Sequence, residues 1–250
     1  MPRYFLELSY KGTHYAGFQI QKNANTIQAE VEKAMSILFS ETFSLTGSSR
    51  TDAGVHALQN FFHFDSDIII YEKKIYNLNA LLPGDIAVKN IFKVKEDAHC
   101  RFDAIAREYQ YYLYRKKNPF LQETAFYYPY TLSIEKLNEL AAIIPEYKDF
   151  TSFSKRNTQV KNFNCDIQYS QWHQQKDCLV YTVKANRFLR GMVRGLVATM
   201  LKISRSKNHF ENFKKIIETK DCRNSDFSAD PKGLFLISVT YNDIYIKEDF

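Results

Sequence analysis

The sequence predicts an α+β fold of two ferredoxin-like (split βαβ) halves whose antiparallel sheets join side by side. Three observations carry this reading. Residues 4–92 run strand, helix, two strands, helix, strand, the order of the split βαβ unit. Residues 108–241 follow a similar plan of strand, helix, two strands, helices and strand. No Pro/Gly/Ser-rich linker separates the two runs, so β-prone sequence continues across the junction and allows the sheets to pair. The expected domains are 1–103 and 104–250. The two halves share no matching sequence, so the duplication rests on element order alone. An apolar content of 45% is enough for ordinary buried cores.

Each element has a local reason. Residues 4–10 are aromatic and aliphatic and predict a strand. Thr26 is a candidate N-cap, and Ile27, Val31, Ala34, Met35 and Leu38 then recur on one helical face. Strands are expected over 42–46 and 59–64, a helix over 71–81 ended by Pro83-Gly84, and a strand over 85–92. In the second half, 108–114 is an aromatic strand. Ser133 caps a helix to about 144, with Ile134, Leu137, Leu140, Ala141 and Ile144 on one face. Residues 149–155 carry no clear element. Residues 163–172 and 178–184 predict paired strands, 188–203 and 210–218 helices, and 233–241 a closing strand.

Charge is uneven. Residues 187–215 hold eight Lys or Arg and one Glu, so the rest of the +6 chain is close to neutral. Such a basic stripe suits a polyanion, and it also suits a solvated helix face. Arg187, Arg190 and Arg194 follow at steps of three and four, which puts at least the last two on one helix face. Gly191 and Gly195 would let another element approach closely. Arg107, Tyr109, Tyr111, Tyr112, Tyr114, Arg115, Lys116 and Lys117 interleave aromatic and basic side chains. Strand alternation divides the four tyrosines between two faces, one expected in the core and the other able to stack on bases.

Other chemistries lack their signatures. The four cysteines form no CxxC pair, and the six histidines form no HxH or HExxH pattern, so no metal is expected. No P-loop, GxGxxG or Gly-x-Ser-x-Gly occurs, so no nucleotide cofactor or serine nucleophile is indicated. The first residues lack the apolar run of a signal peptide, and no stretch approaches the length of a membrane helix. A cytoplasmic protein without membrane attachment is expected.

The most unusual stretch lies between two expected strands: Gly47-Ser48-Ser49-Arg50-Thr51-Asp52-Ala53-Gly54-Val55-His56-Ala57. It exceeds a usual hairpin link and carries Arg, Asp and His among small residues. Asp52 can be a nucleophile or general base on such a loop. A loop Asp is more often a turn-former bonded to its own backbone, and spacing alone favours that reading. His56 can orient the loop or serve as a structural histidine.

Residues 50–57 of that stretch resemble the signature of the TruA family of tRNA pseudouridine synthases. The resemblance extends to Tyr10-Lys11-Gly12-Thr13-His14-Tyr15-Ala16-Gly17-Phe18-Gln19, Leu82-Pro83-Gly84-Asp85-Ile86-Ala87-Val88 and Arg101-Phe102-Asp103-Ala104. It continues through Tyr109-Gln110-Tyr111, Asn118-Pro119-Phe120 and Asp149-Phe150-Thr151-Ser152-Phe153. It ends with Phe188-Leu189-Arg190-Gly191-Met192-Val193-Arg194 and Gly233-Leu234-Phe235-Leu236. These motifs stand in the family's order and span nearly the whole chain.

The resemblance implies isomerisation of uridine to pseudouridine at positions 38–40 of the tRNA anticodon stem-loop, by a homodimer without cofactor or metal. It implies a catalytic role for Asp52 and base flipping assisted by Arg50. Tyr109 would pack by the target base, Arg194 would pair with Asp52, and Leu234 would line an apolar pocket. The cleft would lie between the two halves. Arg187, Arg190, Lys202, Arg205 and Lys207 are the expected phosphate contacts. The sequence departs from the family at Ser49, where many members carry Gly, and at Phe18, where Trp is common. Neither change removes a reactive group. A silent RNA-binding protein would share the basic segment and the aromatics, yet would not need Asp52.

Overall fold

A computed structural model describes residues 1–156 and 160–242. The fold is mixed α+β and dominated by β-sheet. The chain forms two compact units, one of Met1–Ala106 with the chain from Phe235 onward, the other of Arg107–Leu234.

The first unit contains β1 (Arg3–Tyr10), α1 (Ile27–Phe39), β2 (Thr46–Gly47), β3 (His56–Asp65), α2 (Lys74–Leu81) and β4 (Ile86–Val94). β1 lies between β4 and β3 and is antiparallel to both, with Leu6 opposite Phe62 on one side and Ile91 on the other. The other edge of β3 is shared. β2 takes Phe62 and His63, while the chain at Phe235 and Leu236 runs parallel to His56 and Ala57. Thr26 caps α1 by accepting the Ala29 N–H at 3.3 Å. Tyr241 fixes the returning chain by donating to the Cys100 carbonyl at 2.6 Å.

The second unit contains β5 (Ala106–Tyr114), β6 (Phe126–Tyr127), α3 (Ile134–Ile143), β7 (Ile167–Gln175), β8 (Cys178–Ala185), α4 (Met192–Ile203) and α5 (His209–Glu218). The closing strand β9 (Leu234–Thr240) begins at its border. β8 lies between β5 and β7 and is antiparallel to both. Ser133 caps α3 by accepting the Lys136 N–H at 3.2 Å. Trp172 is fully buried against Tyr181, ring centres 5.0 Å apart.

Both units tie a helix to a strand in the same way. Asn79 of α2 donates to the Val88 carbonyl and accepts its N–H, at 2.9 and 2.8 Å. Asn138 of α3 does the same to Trp172, at 2.9 and 2.8 Å. Each side-chain amide acts as a short piece of strand and occupies backbone groups that would otherwise invite another chain.

Five expectations change, the first being the strand expected over 163–172, which runs Ile167–Gln175. Of residues 42–46 only Thr46 is in a strand, because helix side chains take the backbone bonds before it. Glu32 accepts the Leu45 N–H and Gln28 donates to the Leu45 carbonyl. The helix expected from 71 begins at Lys74, after a turn. The helix expected from 188 begins at Met192, because Gly191 holds a φ of 74° that breaks helical geometry. Residues 149–155, expected to be irregular, include a 3₁₀ turn at Thr151–Phe153.

Buried on β3, His63 has its Nδ1 3.1 Å from the Cys100 thiol. Burial, aided by the charges of His99 and Arg3, lowers its pKa from 6.5 to about 4. Between those values an unfolded chain binds a proton that folded His63 does not. Its contribution to stability is therefore complete above pH 6.5 and lost as pH falls towards 4. Urea unfolding midpoints should fall across that interval, and His63→Gln should flatten this part of the profile.

Candidate active site

The Asp52 loop is built from small residues and held by buried polar bonds. Asp52 is half-buried, and its carbonyl accepts the Val55 N–H at 3.2 Å. Gly54 closes that turn with a φ of 77°. Beside Asp52, the Thr51 hydroxyl meets the Tyr10 hydroxyl at 2.8 Å. Asn60, fully buried in β3, donates to the Tyr10 hydroxyl at 3.1 Å and to the Ser49 carbonyl at 2.8 Å. The stretch leading into Asp52 is thereby tied to β1 at Thr51 and to β3 at Ser49.

A second loop, residues 11–19, lies over the first. The Phe18 N–H donates to the Thr51 carbonyl at 3.1 Å, and the Gly12 N–H donates to His56 Nδ1 at 3.1 Å. A Cβ at Gly12 would lie 2.0 Å from the Val55 carbonyl oxygen, so no other residue fits without moving the backbone. Gly17, at a φ of 113°, sits under Thr51 and Ala53 in the same manner. Phe18 is buried and stacks on Phe62 at 4.5 Å, occupying the space left by Gly47. The departure at Phe18 therefore alters the core under the loop. His56 is fully buried and stacks on Phe235 at 4.5 Å. It holds the loop in place from within the core.

Arg50 is exposed on the same loop. It borders a depression of about 190 Å³ that also includes His99, Arg101 and Phe102. Phe102 is 74% exposed, with the Arg101 guanidinium 5.7 Å from its ring centre. This basic and aromatic edge belongs to the first unit.

Tyr109, Arg194 and Leu234 belong to the second unit. Tyr109 is buried on β5, edge-on to Phe188 at 5.0 Å. Arg194 projects from the first turn of α4, and its Nε donates to the Ala229 carbonyl at 2.7 Å. Residues 226–230 are fastened at three further points. The Asp226 N–H donates to Thr199 Oγ1 at 2.9 Å, the Tyr111 hydroxyl donates to the Asp230 carbonyl at 2.7 Å, and Gly195 makes room for the Phe227 ring. Burial and the Asp230 carboxylate raise the Tyr111 pKa, so the phenol remains a donor at all ordinary pH. Leu234 is buried, next to a Gly233 packed on the Tyr111 ring.

Two expectations about the basic and aromatic residues are corrected. The cations do not form one helical stripe, because the body of α4 from Gly195 to Leu201 is buried. Arg187 and Arg190 precede the helix, while Lys202, Arg205 and Lys207 lie at or beyond its far end, about 18 Å away at the rise of a helix. Arg190, Lys202, Arg205 and Lys207 are exposed and Arg187 is half-buried. Nor does β5 offer a bare stacking face. Tyr114 packs with Ala125, Cys178 and Val180, with Tyr112 against that cluster.

Tyr10 and Asn60 emerge only from the coordinates, although Asn60 had a signal. A strand-averse amide sits among Phe61, Phe62 and Phe64, where a polar group must be bonded if buried. Among the described residues, no group of three or more His, Cys, Asp or Glu is arranged to hold a metal ion. No described helix is long and apolar enough to cross a membrane. Asn60→Ala strands the buried Ser49 carbonyl and should lower the unfolding free energy by about 1–3 kcal/mol. Urea denaturation checks this, and a loss below about 0.5 kcal/mol would show that the amide does not hold the loop.

Comparison with known proteins identifies the family. A family model described as tRNA pseudouridine synthase matches residues 8–103 and 147–242, one segment in each half of the chain. A protein named tRNA pseudouridine synthase A from Parabacteroides distasonis is 43% identical over 255 residues, covering 100% of both chains. The protein of that name from Bacteroides fragilis is 43% identical over 96% of each chain. One from Staphylococcus aureus is 33% identical over 99% of this chain and 94% of its own. The chain therefore belongs to the tRNA pseudouridine synthases, a family of isomerases.

Proposed function

We propose that this protein isomerises uridine to pseudouridine at positions 38–40 of the tRNA anticodon stem-loop, with Asp52 as the catalytic residue. The observation that carries the reading is a family match reaching both halves, with Asp52 on a loop fixed by buried hydrogen bonds. The reaction breaks the bond from uracil N1 to ribose C1′, turns the ring, and joins C5 to C1′. The C5 proton is lost and N1 gains one, so atoms and electrons balance without a redox partner. The Asp52 carboxylate can attack C1′, remove the C2′ proton, or add to C6. All three routes need an oriented carboxylate, and a fixed loop reduces the cost of orientation.

The remaining roles follow from residue chemistry. The target base must leave the stack to be reached, and Arg50, exposed on the same loop, is suited to assist. Tyr109 packs by the flipped base, and Leu234 forms an apolar wall that holds the detached uracil. Arg194 pairs with Asp52. Its bond to the Ala229 carbonyl orients it. Arg187, Arg190, Lys202, Arg205 and Lys207 contact phosphates, which makes tRNA binding salt-dependent.

In this reading the first domain carries the Asp52 loop and the second carries Tyr109, Arg194, Leu234 and the basic residues. Both are ferredoxin-like halves, their sheets join side by side, and the catalytic cleft runs between them. The working form is a cytoplasmic homodimer, which should sediment at twice the 29.4 kDa of one chain.

The test is an unmodified tRNA transcript incubated with wild type and with Asp52→Ala, followed by chemical mapping of pseudouridine. Wild type should modify positions 38–40, and Asp52→Ala should lose at least about a thousandfold in rate. Equal product from the mutant would overturn the role of Asp52. Product elsewhere in the tRNA would overturn the assigned positions.

A further inference from the structure

The second unit contains a cavity of about 500 Å³. That lies within the roughly 300–1,000 Å³ typical of small-ligand sites. Its lining combines three chemistries. Lys202 and Arg205 supply positive charge from the end of α4 and just beyond it. Phe126 and Tyr128 supply aromatic surface. Asp226 and Ser228 supply polar groups from the segment that also holds Arg194 through Ala229.

Each part suits a different piece of a nucleotide. The Arg205 guanidinium lies 4.8 Å from the Tyr130 ring centre, within cation–π distance. With Lys202 it can hold a phosphate. Tyr128 is half-buried, its neighbours Phe126 and Tyr130 are 5.9 and 5.1 Å away, and its ring can take a base by stacking. One Asp226 oxygen accepts the Ser228 N–H at 2.8 Å, leaving the carboxylate further lone pairs. A carboxylate beside two cations weakens a site for bare phosphate. It strengthens a site for a ligand that also carries a hydroxyl or amino donor, as ribose and three of the bases do.

We propose that this cavity binds one nucleotide of the tRNA other than the isomerised uridine, with phosphate on Lys202 and Arg205, base on Tyr128, and a sugar or base donor on Asp226. This rests on the reading that the protein acts on tRNA. Because residues 226–230 both wall the cavity and hold Arg194, the nucleotide would dock on the segment that orients a proposed active-site arginine.

The experiment uses the full chain, a tRNA transcript carrying 4-thiouridine for photocrosslinking, and the variants Tyr128→Leu and Lys202→Met. Filter binding gives Kd, pseudouridine mapping gives activity, and circular dichroism verifies that each variant is folded. The proposal predicts a crosslink on the peptide containing Tyr128 or Lys202. It also predicts a Kd raised about tenfold by Tyr128→Leu, the size of one base stack, and a raised Kd with a shallower salt dependence in Lys202→Met, from one lost phosphate contact. Wild type that modifies tRNA but crosslinks only elsewhere, with unchanged Kd in both variants, would overturn the cavity assignment and leave the function standing. A Kd raised by Lys202→Met and not by folded Tyr128→Leu would reduce the site to a phosphate contact and overturn the nucleotide. Wild type that neither binds nor modifies the transcript would overturn the function, and the nucleotide site with it.

Discussion

The contact between the Tyr10 and Thr51 hydroxyls, at 2.8 Å, is small, and much depends on it. It joins the end of β1 to the residue before Asp52. Asn60 completes it by holding both Tyr10 and the Ser49 carbonyl from β3. Four polar groups meet here on buried residues, the Tyr10 and Thr51 hydroxyls, the Asn60 amide and the Ser49 carbonyl, and each would be costly to leave unpaired. Their need for one another therefore selects one path for a loop that small residues would otherwise leave free. Gly12 and Gly17 permit the covering loop to approach, and His56 accepts from it. The backbone on either side of Ser49 and Thr51, which leads into Asp52, is thereby held on one path, the property that the proposed catalytic role of Asp52 requires.

The second unit prepares its own residues by a comparable device. Residues 226–230 have little regular structure, yet bonds from Thr199, Arg194 and Tyr111 fasten them to α4 and β5. A glycine on α4 admits Phe227, and Gly233 admits the Tyr111 ring. Arg194 is thus held by a backbone carbonyl that is itself held. The two units also share the use of an asparagine side chain to tie a helix to a strand, through Asn79 and Asn138. These parallels arise from residues that the two halves do not share as sequence.

Much of the architecture was legible because it follows from periodicity and capping. Thr26 and Ser133 cap the helices expected from them, and the alternating and aromatic runs form strands. The misreadings have local causes. Residues 42–45 look like a strand, but α1 side chains satisfy Leu45, a long-range substitution that propensity does not register. Residues 188–191 continue a helical pattern, but Gly191 adopts a positive φ. Spacing alone favoured a turn-former at Asp52, and the ordered motifs along the chain resolved the family. The bonds around Asp52 were not legible, because Tyr10 and Asn60 reach Thr51 and Ser49 only once β1 and β3 are paired.

The central claim is that this buried frame serves the reacting carboxylate and not stability alone. Single-turnover isomerisation of a tRNA transcript by folded Tyr10→Phe tests it most directly, with Kd measured on the same preparation. The account predicts a rate reduced about tenfold to a hundredfold with Kd unchanged, since a small misplacement of a reacting group costs rate and not affinity. A rate equal to wild type would contradict it.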